Sequence, residues 1–112
     1  MCLFCKIASG EIPAKIAFQD EDVVVFHDIQ PQAPTHLLVI PRKHVSSLAE
    51  ANADHQTLLG KLLLTASSVA KDMGLDKEGY RVVINTGPGA GQTVFHIHVH
   101  VLGGRVLSWP PG

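Results

Sequence analysis

The stretch VFHIHVHVLGG, residues 94–104, decides the fold. Histidine and apolar residues alternate through it with the period of a β-strand, so we predict a strand over residues 94–102. One face of this strand would carry three imidazoles, and the other would carry Ile97, Val99 and Val101. The apolar face is ordinary core, whereas three imidazoles bring polar nitrogens that need partners or water. Three histidines in strict alternation therefore favour chemistry over a structural role.

The rest of the chain reads as four more strands and one long helix. Apolar runs bounded by turn-forming residues predict strands at 15–19, 23–29, 36–40 and 80–85. An apolar stripe of helical period predicts a helix from Asn52 or Asp54 to Met73, ended by Gly74. Residues 45–51 predict a short helical turn. Five strands around one main helix, with antiparallel neighbours, indicate an α+β domain.

Length and composition restrict the class of protein. A chain of 112 residues, 46% apolar and 17% charged, predicts one globular domain over residues 1–112. A net charge of −1 without a basic run disfavours a nucleic-acid partner. No apolar stretch approaches the roughly 20 residues that span a bilayer, so we expect no membrane association. Nothing marks export, and Cys2 and Cys5 are too close for a useful disulfide loop. We therefore expect a cytoplasmic location and consider metal binding by the pair.

The histidine stretch permits two kinds of chemistry. A His-x-His pair can chelate zinc when a third ligand comes from elsewhere. His96 and His100, however, lie about 13 Å apart at strand rise, so the three histidines cannot all bind one ion. Neutral imidazole is also a nucleophile near pH 7. Attack on phosphorus would give a phosphoimidazole that water can cleave.

A glycine-rich loop directly before the histidines supports the nucleophile hypothesis. In TGPGAGQT, residues 86–93, Gly87, Gly89 and Gly91 allow backbone N–H groups to point at an anion, and Thr93 adds a hydroxyl. Glycine-rich turns are usually only turns. Beside the histidine stretch, however, this one indicates a phosphate site.

The pattern His-φ-His-φ-His-φ-φ, where φ is apolar, resembles the signature of the histidine triad (HIT) superfamily of nucleotide hydrolases and transferases. Other motifs resemble its Hint branch, the histidine triad nucleotide-binding proteins: EIPAK (11–15), FHDI (26–29), PQAPTH (31–36), GQ (91–92), LGGR (102–105) and WPPG (109–112). The resemblance covers nearly the whole chain. It implies a HIT-like fold: a five-stranded, mostly antiparallel sheet with one long and one or two short helices. It also implies a homodimer with a continuous sheet, in which the WPPG tail approaches the partner's active site.

The resemblance further implies a hydrolase that cleaves purine nucleoside 5′-phosphoramidates, of AMP or GMP type, through a covalent nucleotidyl-histidine intermediate. No cofactor would take part in the chemistry. The middle histidine, His98, would be the nucleophile. His100 would contact the phosphate or the bridging atom, and His36 would complete the imidazole network.

The implied nucleotide-binding residues divide by the part of the ligand that they would contact. Asp28 would accept hydrogen bonds from the ribose hydroxyls, as an ionised carboxylate does well. Asn85, Gly91 and Thr93 match the phosphate pocket, and Gln92 lies where the family places a residue near the leaving group. The purine would be enclosed by Phe4, Ile7, Phe26, His27 and Ile29. For the apolar members of that last set, ordinary core is the competing interpretation.

CLFC, residues 2–5, resembles the cysteine pair of zinc-containing bacterial members. The resemblance joins Cys2 and Cys5 to His44 and His96 around a structural zinc, because a Cys2His2 set fills a tetrahedral site. His96 would then have a task separate from that of His98. Two other functions stay open: a non-catalytic nucleotide-binding or regulatory dimer, and a metallohydrolase with His-x-His ligands to a catalytic ion.

Overall fold

The computed structural model describes residues 2–112 and contains one antiparallel sheet. Its strands are β1 (Ile16–Gln19), β2 (Val23–His27), β3 (Thr35–Pro41), β4 (Tyr80–Val83) and β5 (Val99–Gly103). Their spatial order is β1-β2-β3-β5-β4, and each neighbouring pair is antiparallel. The predicted α+β class and five-stranded sheet are confirmed.

Two α-helices pack on this sheet, α1 (Leu3–Ser9) and α2 (Gln56–Asp72). A 3-10 turn leads into α2, and the Asn52 side chain caps that turn by accepting from the Asp54 backbone N–H at 2.9 Å. Gly74 follows the end of α2 with a φ of +76°, a conformation that glycine adopts without strain. The predicted long helix is therefore confirmed. α1 is one of the short helices that the family resemblance implied. Within residues 2–112, no helix has the length and apolar character needed to cross a membrane.

Side chains along β3 alternate between two cores on opposite faces of the sheet. Leu37 and Val39 belong to the larger core under α2, and Leu38 and Ile40 belong to the smaller core beside α1. The apolar half of the histidine stretch joins the larger core, since Ile97, Val99 and Val101 are at most 1% exposed. His100 pairs with Leu38 in the β3–β5 ladder. The imidazoles of this ladder therefore lie on the α1 face.

The last strand is shorter than the alternation predicted. β5 begins at Val99, and residues 94–98 are irregular backbone. The reason lies in β3, which ends at Pro41: proline has no N–H to donate to a ladder. The Pro41 carbonyl is bound instead by the ring of His96, at 2.8 Å from Nε2. The predicted strands 23–29 and 80–85 also each end two residues early, at His27 and Val83.

Candidate active site and metal centre

A pocket of about 510 Å³ opens beside α1, and most of its lining is apolar. Polar groups enter from β5 and from the segments that follow β2 and precede β5. Its lining residues are Leu3, Phe4, Ile7, Ile12, Pro13, Ala14, Lys15, Phe26, His27, Asp28, Ile29, Gln30, Leu38, Thr93, Val94, His98 and His100. A mostly apolar pocket with a few convergent polar groups is typical of a small-molecule site.

A larger groove of about 860 Å³ runs between α2 and the end of β1. Among the described residues, no histidine or cysteine lines it. Its Lys61 is already paired with Asp20 at 2.9 Å and with Asp22 at 2.7 Å. The groups capable of chemistry therefore lie in the smaller pocket.

A backbone amide sets the protonation of the imidazoles at the pocket. The N–H of Gln32 donates to His36 Nδ1 at 3.0 Å, so that nitrogen carries a lone pair. In the neutral ring the proton must then be on His36 Nε2, which donates to His100 Nδ1 at 2.9 Å. The remaining proton of His100 is consequently on Nε2. We call this chain of hydrogen bonds, from Gln32 through His36 to His100, the histidine relay.

The end of the histidine relay is a buried donor without an acceptor. Among residues 2–112, His100 Nε2 is the buried side-chain nitrogen or oxygen that finds no hydrogen-bond partner. Burial, together with the neighbouring His98 and His36, lowers the pKa of His100 to about 4. Burial also lowers the pKa of His36, although the nearby Asp28 opposes this shift. Both rings are therefore neutral near pH 7, and the relay presents an N–H that a ligand oxygen or nitrogen can accept.

The carboxylate of Asp28 lies beside the relay and keeps one oxygen available. Its Oδ1 accepts the backbone N–H of Gln30 at 2.9 Å, which closes a tight turn after β2. Its Oδ2 is 3.5 Å from His36 Nε2. The side chain is 20% exposed, so Oδ2 can also accept from a ligand hydroxyl.

His98 has the opposite arrangement to His100. Its Nδ1–H donates to the backbone carbonyl of His96 at 2.9 Å, which leaves the lone pair on Nε2. The ring packs edge-to-face on Phe4, with ring centroids 5.1 Å apart, and lies 5.0 Å from the ring of His100. The side chain is 6% exposed. A nucleophilic nitrogen and a hydrogen-bond donor thus face one pocket from adjacent outward positions of the same segment.

A second group of side chains, which we call the metal cluster, consists of Cys2, Cys5, His44 and His96. All four donor atoms lie within 4.8 Å of one another. The Cys2 Sγ–His96 Nδ1 and Cys5 Sγ–His44 Nδ1 distances are both 3.3 Å, and the two Nδ1 atoms are 3.2 Å apart. A zinc tetrahedron has N–N and S–N edges of roughly 3.3 and 3.6 Å. The spacing of these donors therefore fits tetrahedral zinc.

The protonation of His96 also fits a cation. Its Nε2–H donates to the Pro41 carbonyl at 2.8 Å, so the lone pair on Nδ1 points at the cluster. This hydrogen bond is the type of outer contact that orients a metal-binding imidazole. Burial and the adjacent Cys2 thiol raise the pKa of Cys5, so the Cys5 thiol resists ionisation. A bound cation would reverse that preference.

Of the four residues predicted for the phosphate pocket and the leaving group, only one lines the pocket. Thr93 lines the pocket, whereas Asn85, Gly91 and Gln92 are not among its lining residues. Gln92 is 3% exposed: its amide N–H groups donate to the carbonyls of Ser46 and Val94, and its oxygen accepts from Gly87 N–H. Its side chain therefore holds the loop together and keeps no group for a ligand.

Gly91 has a φ of +92°, and a Cβ there would come within 3.7 Å of the Asn85 side-chain nitrogen. The Asn85 side chain thus lies beside the glycine that makes this turn. Of the predicted purine contacts, Phe4, Ile7, Phe26, His27 and Ile29 all line the pocket, and Ile29 is 93% exposed.

The functional groups that sequence reasoning missed are mostly backbone atoms. The Gln32 N–H, the Pro41 carbonyl and the His96 carbonyl decide which nitrogen of three imidazoles carries the proton. No side-chain pattern reports these contacts. Four side chains of the EIPAK motif were also missed, since Ile12, Pro13, Ala14 and Lys15 line the pocket. The match of this motif to the family could have indicated them.

Known proteins share this sequence and this architecture. Residues 9–107 match the HIT domain family. The chain is 53% identical over 112 residues to the 14 kDa zinc-binding protein of Zea mays, with 98% of this chain and 87% of the relative covered. Its structure is similar to that of a HIT family hydrolase from Legionella pneumophila Philadelphia 1, with a TM-score of 0.99, 53% identity and 100% of both chains covered. It is also similar to a histidine triad nucleotide-binding protein from Candida albicans, with a TM-score of 0.83, 34% identity, and 98% of this chain and 83% of that chain covered.

Proposed function

The chain belongs to the HIT domain family, and we propose that it is a hydrolase that cleaves purine nucleoside 5′-phosphoramidates through a nucleotidyl adduct on His98. One observation carries this proposal. The His96 carbonyl holds the proton of His98 on Nδ1, so the Nε2 lone pair is available in the pocket beside the unpartnered N–H of His100. The names of two similar structures, a HIT family hydrolase and a histidine triad nucleotide-binding protein, support the reaction class.

In the proposed reaction His98 Nε2 attacks the α-phosphorus as the bond from phosphorus to the leaving nitrogen breaks. His100 Nε2–H donates to a phosphate oxygen or to the leaving nitrogen, where negative charge develops. Since His100 is neutral near pH 7, it acts as a directed donor that needs no counter-ion. The leaving nitrogen takes a proton from solvent and departs as the free amine. Water then attacks the phosphoimidazole, releases the nucleoside monophosphate, returns a proton to solvent and restores His98.

The remaining pocket groups match the parts of a purine nucleotide. Asp28 Oδ2 would accept from the ribose hydroxyls, and the Thr93 hydroxyl would donate to the phosphate. Phe4, Ile7 and Phe26 would enclose the base among the other apolar lining residues. We propose that Asn85, Gly91 and Gln92 act by shaping the phosphate loop, which explains why none of the three residues lines the pocket.

We propose that Cys2, Cys5, His44 and His96 hold a structural zinc ion, which would tie the N-terminal segment to the histidine stretch. The name of the zinc-binding relative from Zea mays supports this assignment. Both cysteines are unpaired, and thiolate ligands of this kind persist in a reducing compartment such as the cytoplasm.

A catalytic metal is disfavoured by the histidine relay itself. Asp28, His36 and His100 also bring three donor atoms within 4.8 Å of one another. His36 Nε2, however, carries a proton, because Nδ1 accepts from the Gln32 N–H. A metal on Nε2 would displace that proton and leave Nδ1 without one, so the ring would be an imidazolate. The neutral relay is the better description.

We propose that the protein is a homodimer joined through α2 and β4. β4 lies at one edge of the sheet, where Val82 is 39% exposed. On α2, Leu63 and Leu64 are 48% and 74% exposed. Trp109, 81% exposed, would approach the partner's active site. Light scattering at micromolar concentration should report twice the mass of the 12.0 kDa chain. A clean monomer would contradict both the dimer and the role of Trp109.

Mass spectrometry after brief mixing with adenosine 5′-phosphoramidate tests the proposed function. We expect a nucleotidyl mass increment on the peptide that contains His98, together with release of AMP. Binding of the nucleotide without adduct or turnover would favour the non-catalytic alternative. Turnover that is lost when zinc alone is removed from the folded protein would favour the metallohydrolase.

A further inference from the structure

We propose that the metal cluster and the nucleotide pocket bind their ligands cooperatively, because α1 forms a wall of both. Cys2 and Cys5, at the start of α1, belong to the metal cluster. Leu3, Phe4 and Ile7, interleaved with them, line the pocket. The inference rests on the proposed function, because it takes the pocket ligand to be a purine nucleotide.

The first turn of α1 depends on the metal cluster for its position. α1 has seven residues, and isolated helices shorter than about 12 residues are marginal in water. At its C-terminal end, Gly10 caps the helix, and Arg42 donates to the Ala8 carbonyl. At its N-terminal end, Cys2 Sγ accepts the Cys5 N–H at 3.1 Å. The residue that caps the first turn is therefore also a donor of the metal cluster.

Phe4 connects the two sites directly. Its ring lies edge-to-face against His98 of the pocket and against His96 of the metal cluster, with centroids 5.1 and 6.1 Å apart. The same ring packs against Phe26 on β2 at 5.5 Å. A displacement of the first turn of α1 therefore moves the apolar wall of the pocket.

A bound cation would tie this turn to the two imidazoles. Without one, the thiols contact the imidazoles only at 3.3 Å, in the pairs Cys2 Sγ–His96 Nδ1 and Cys5 Sγ–His44 Nδ1, and a thiol is a weak hydrogen-bond donor. His96 is held by Pro41, whereas Cys2 and Cys5 are tied to each other within the first turn. The first turn of α1 is therefore the part that relaxes, and a nucleotide would then have to order it on binding.

If α1 couples the two sites, the coupling should depend on the purine base of the ligand. α1 offers the pocket only apolar side chains, which suit the purine. Asp28, Thr93, His98 and His100, which suit the ribose and phosphate, come from other elements. We therefore expect zinc to strengthen the binding of AMP about tenfold, within the usual range of coupling between sites. Zinc should change the affinity for ribose 5-phosphate less than about twofold, since that ligand would contact residues outside α1.

Calorimetry with AMP and with ribose 5-phosphate, on zinc-loaded and chelator-treated protein, tests the inference. We expect the Kd for AMP to rise about tenfold on zinc removal and the Kd for ribose 5-phosphate to stay nearly constant. Equal AMP affinity in both forms overturns the inference and leaves the proposed function intact. Failure of AMP to bind the zinc-loaded protein overturns the proposed function itself.

The reciprocal measurement follows the affinity for zinc, because the coupling free energy between two sites is the same in both directions. In equilibrium competition with a chromogenic chelator, saturating AMP should lower the Kd for zinc about tenfold, and ribose 5-phosphate should change it less than about twofold. An unchanged zinc affinity with AMP, or an equal effect of the two ligands, overturns the inference. Lys6→Ala is the matched control on α1, because Lys6 belongs to neither site, and it should retain the AMP effect. Phe4→Leu should reduce it.

Discussion

Two pairs of imidazoles in this protein have nearly the same spacing and opposite uses. His36 Nε2 and His100 Nδ1 are 2.9 Å apart, and His44 Nδ1 and His96 Nδ1 are 3.2 Å apart. In the first pair a proton lies between the nitrogens. In the second pair His96 carries its proton on the far side of the ring, where it donates to the Pro41 carbonyl. The comparison shows that the backbone group at the opposite nitrogen decides whether the facing nitrogen of a neutral histidine carries a proton or a lone pair.

The three histidines of the segment 96–100 are divided between the metal cluster and the pocket. His96 turns to the metal cluster, whereas His98 and His100 face the pocket. The division follows from the early end of the β3–β5 ladder, which frees residues 94–98 from regular strand geometry. Substitutions in either region can therefore separate chemistry from metal binding.

The largest effect is expected for His98→Ala. Turnover of a phosphoramidate should fall by at least about a thousandfold, because the attacking nitrogen is removed. The Kd for AMP should stay within about tenfold, since the ribose and phosphate contacts remain. Steady-state kinetics and calorimetry measure the two quantities. The matched control, His44→Ala, should lose zinc and keep turnover at saturating substrate. A substantial residual rate in His98→Ala would contradict the mechanism.

The double substitution Cys2→Ser with Cys5→Ser should abolish zinc binding. Elemental analysis of untagged wild-type protein should find about one zinc per chain, as expected for one tetrahedral site, and the double variant should contain none. Its Tm should fall by about 10 °C or more, because a structural metal contributes folding free energy. The variant should still form the nucleotidyl adduct. Loss of turnover at saturating substrate in a variant that remains folded would mean that the metal is catalytic.

A smaller effect is expected when the histidine relay is interrupted. His36→Ala removes the donor to His100 Nδ1, so the proton of His100 is no longer held on Nε2. We expect kcat to fall about tenfold or more, with little change in zinc content. His36→Gln keeps an N–H near the same position and should recover most of the rate. Long-range proton–nitrogen NMR correlations should show a single His100 tautomer in the wild type and a mixture in His36→Ala. A single tautomer in both would rule out the relay.

The smallest effect concerns pH. The pKa of His100 is about 4 in the folded protein and 6.5 in an ordinary histidine. Between these values the unfolded chain binds a proton that the folded chain refuses, so stability falls as pH falls from 6.5 towards 4. The wild type should therefore lose more Tm between pH 7 and pH 5 than His100→Gln, both measured with zinc bound. Equal losses would show that burial of His100 does not govern the titration.

Much of the fold follows from local patterns in the chain. The alternation around His98 predicted a buried face of Ile97, Val99 and Val101, and the apolar stripe with its caps predicted α2. Burial imposes these periods, so they are visible in sequence. The overextended strand 94–102 was the main error. The strand is shorter because β3, its partner, ends at Pro41, which has no backbone N–H to donate to the ladder. Pro41 lies 55 residues before His96 in the chain.

The resemblance of the sequence motifs to the HIT family grouped Cys2, Cys5, His44 and His96 as one set of side chains, and His36, His98 and His100 as another. Which nitrogen of each imidazole holds the proton was decided only in three dimensions. Gln32 N–H, the His96 carbonyl and the Pro41 carbonyl make that choice. Every residue carries the same backbone donor and acceptor, apart from the N–H that proline lacks. No sequence pattern can therefore tell which of them will meet a given ring, and only the path of the folded chain determines it.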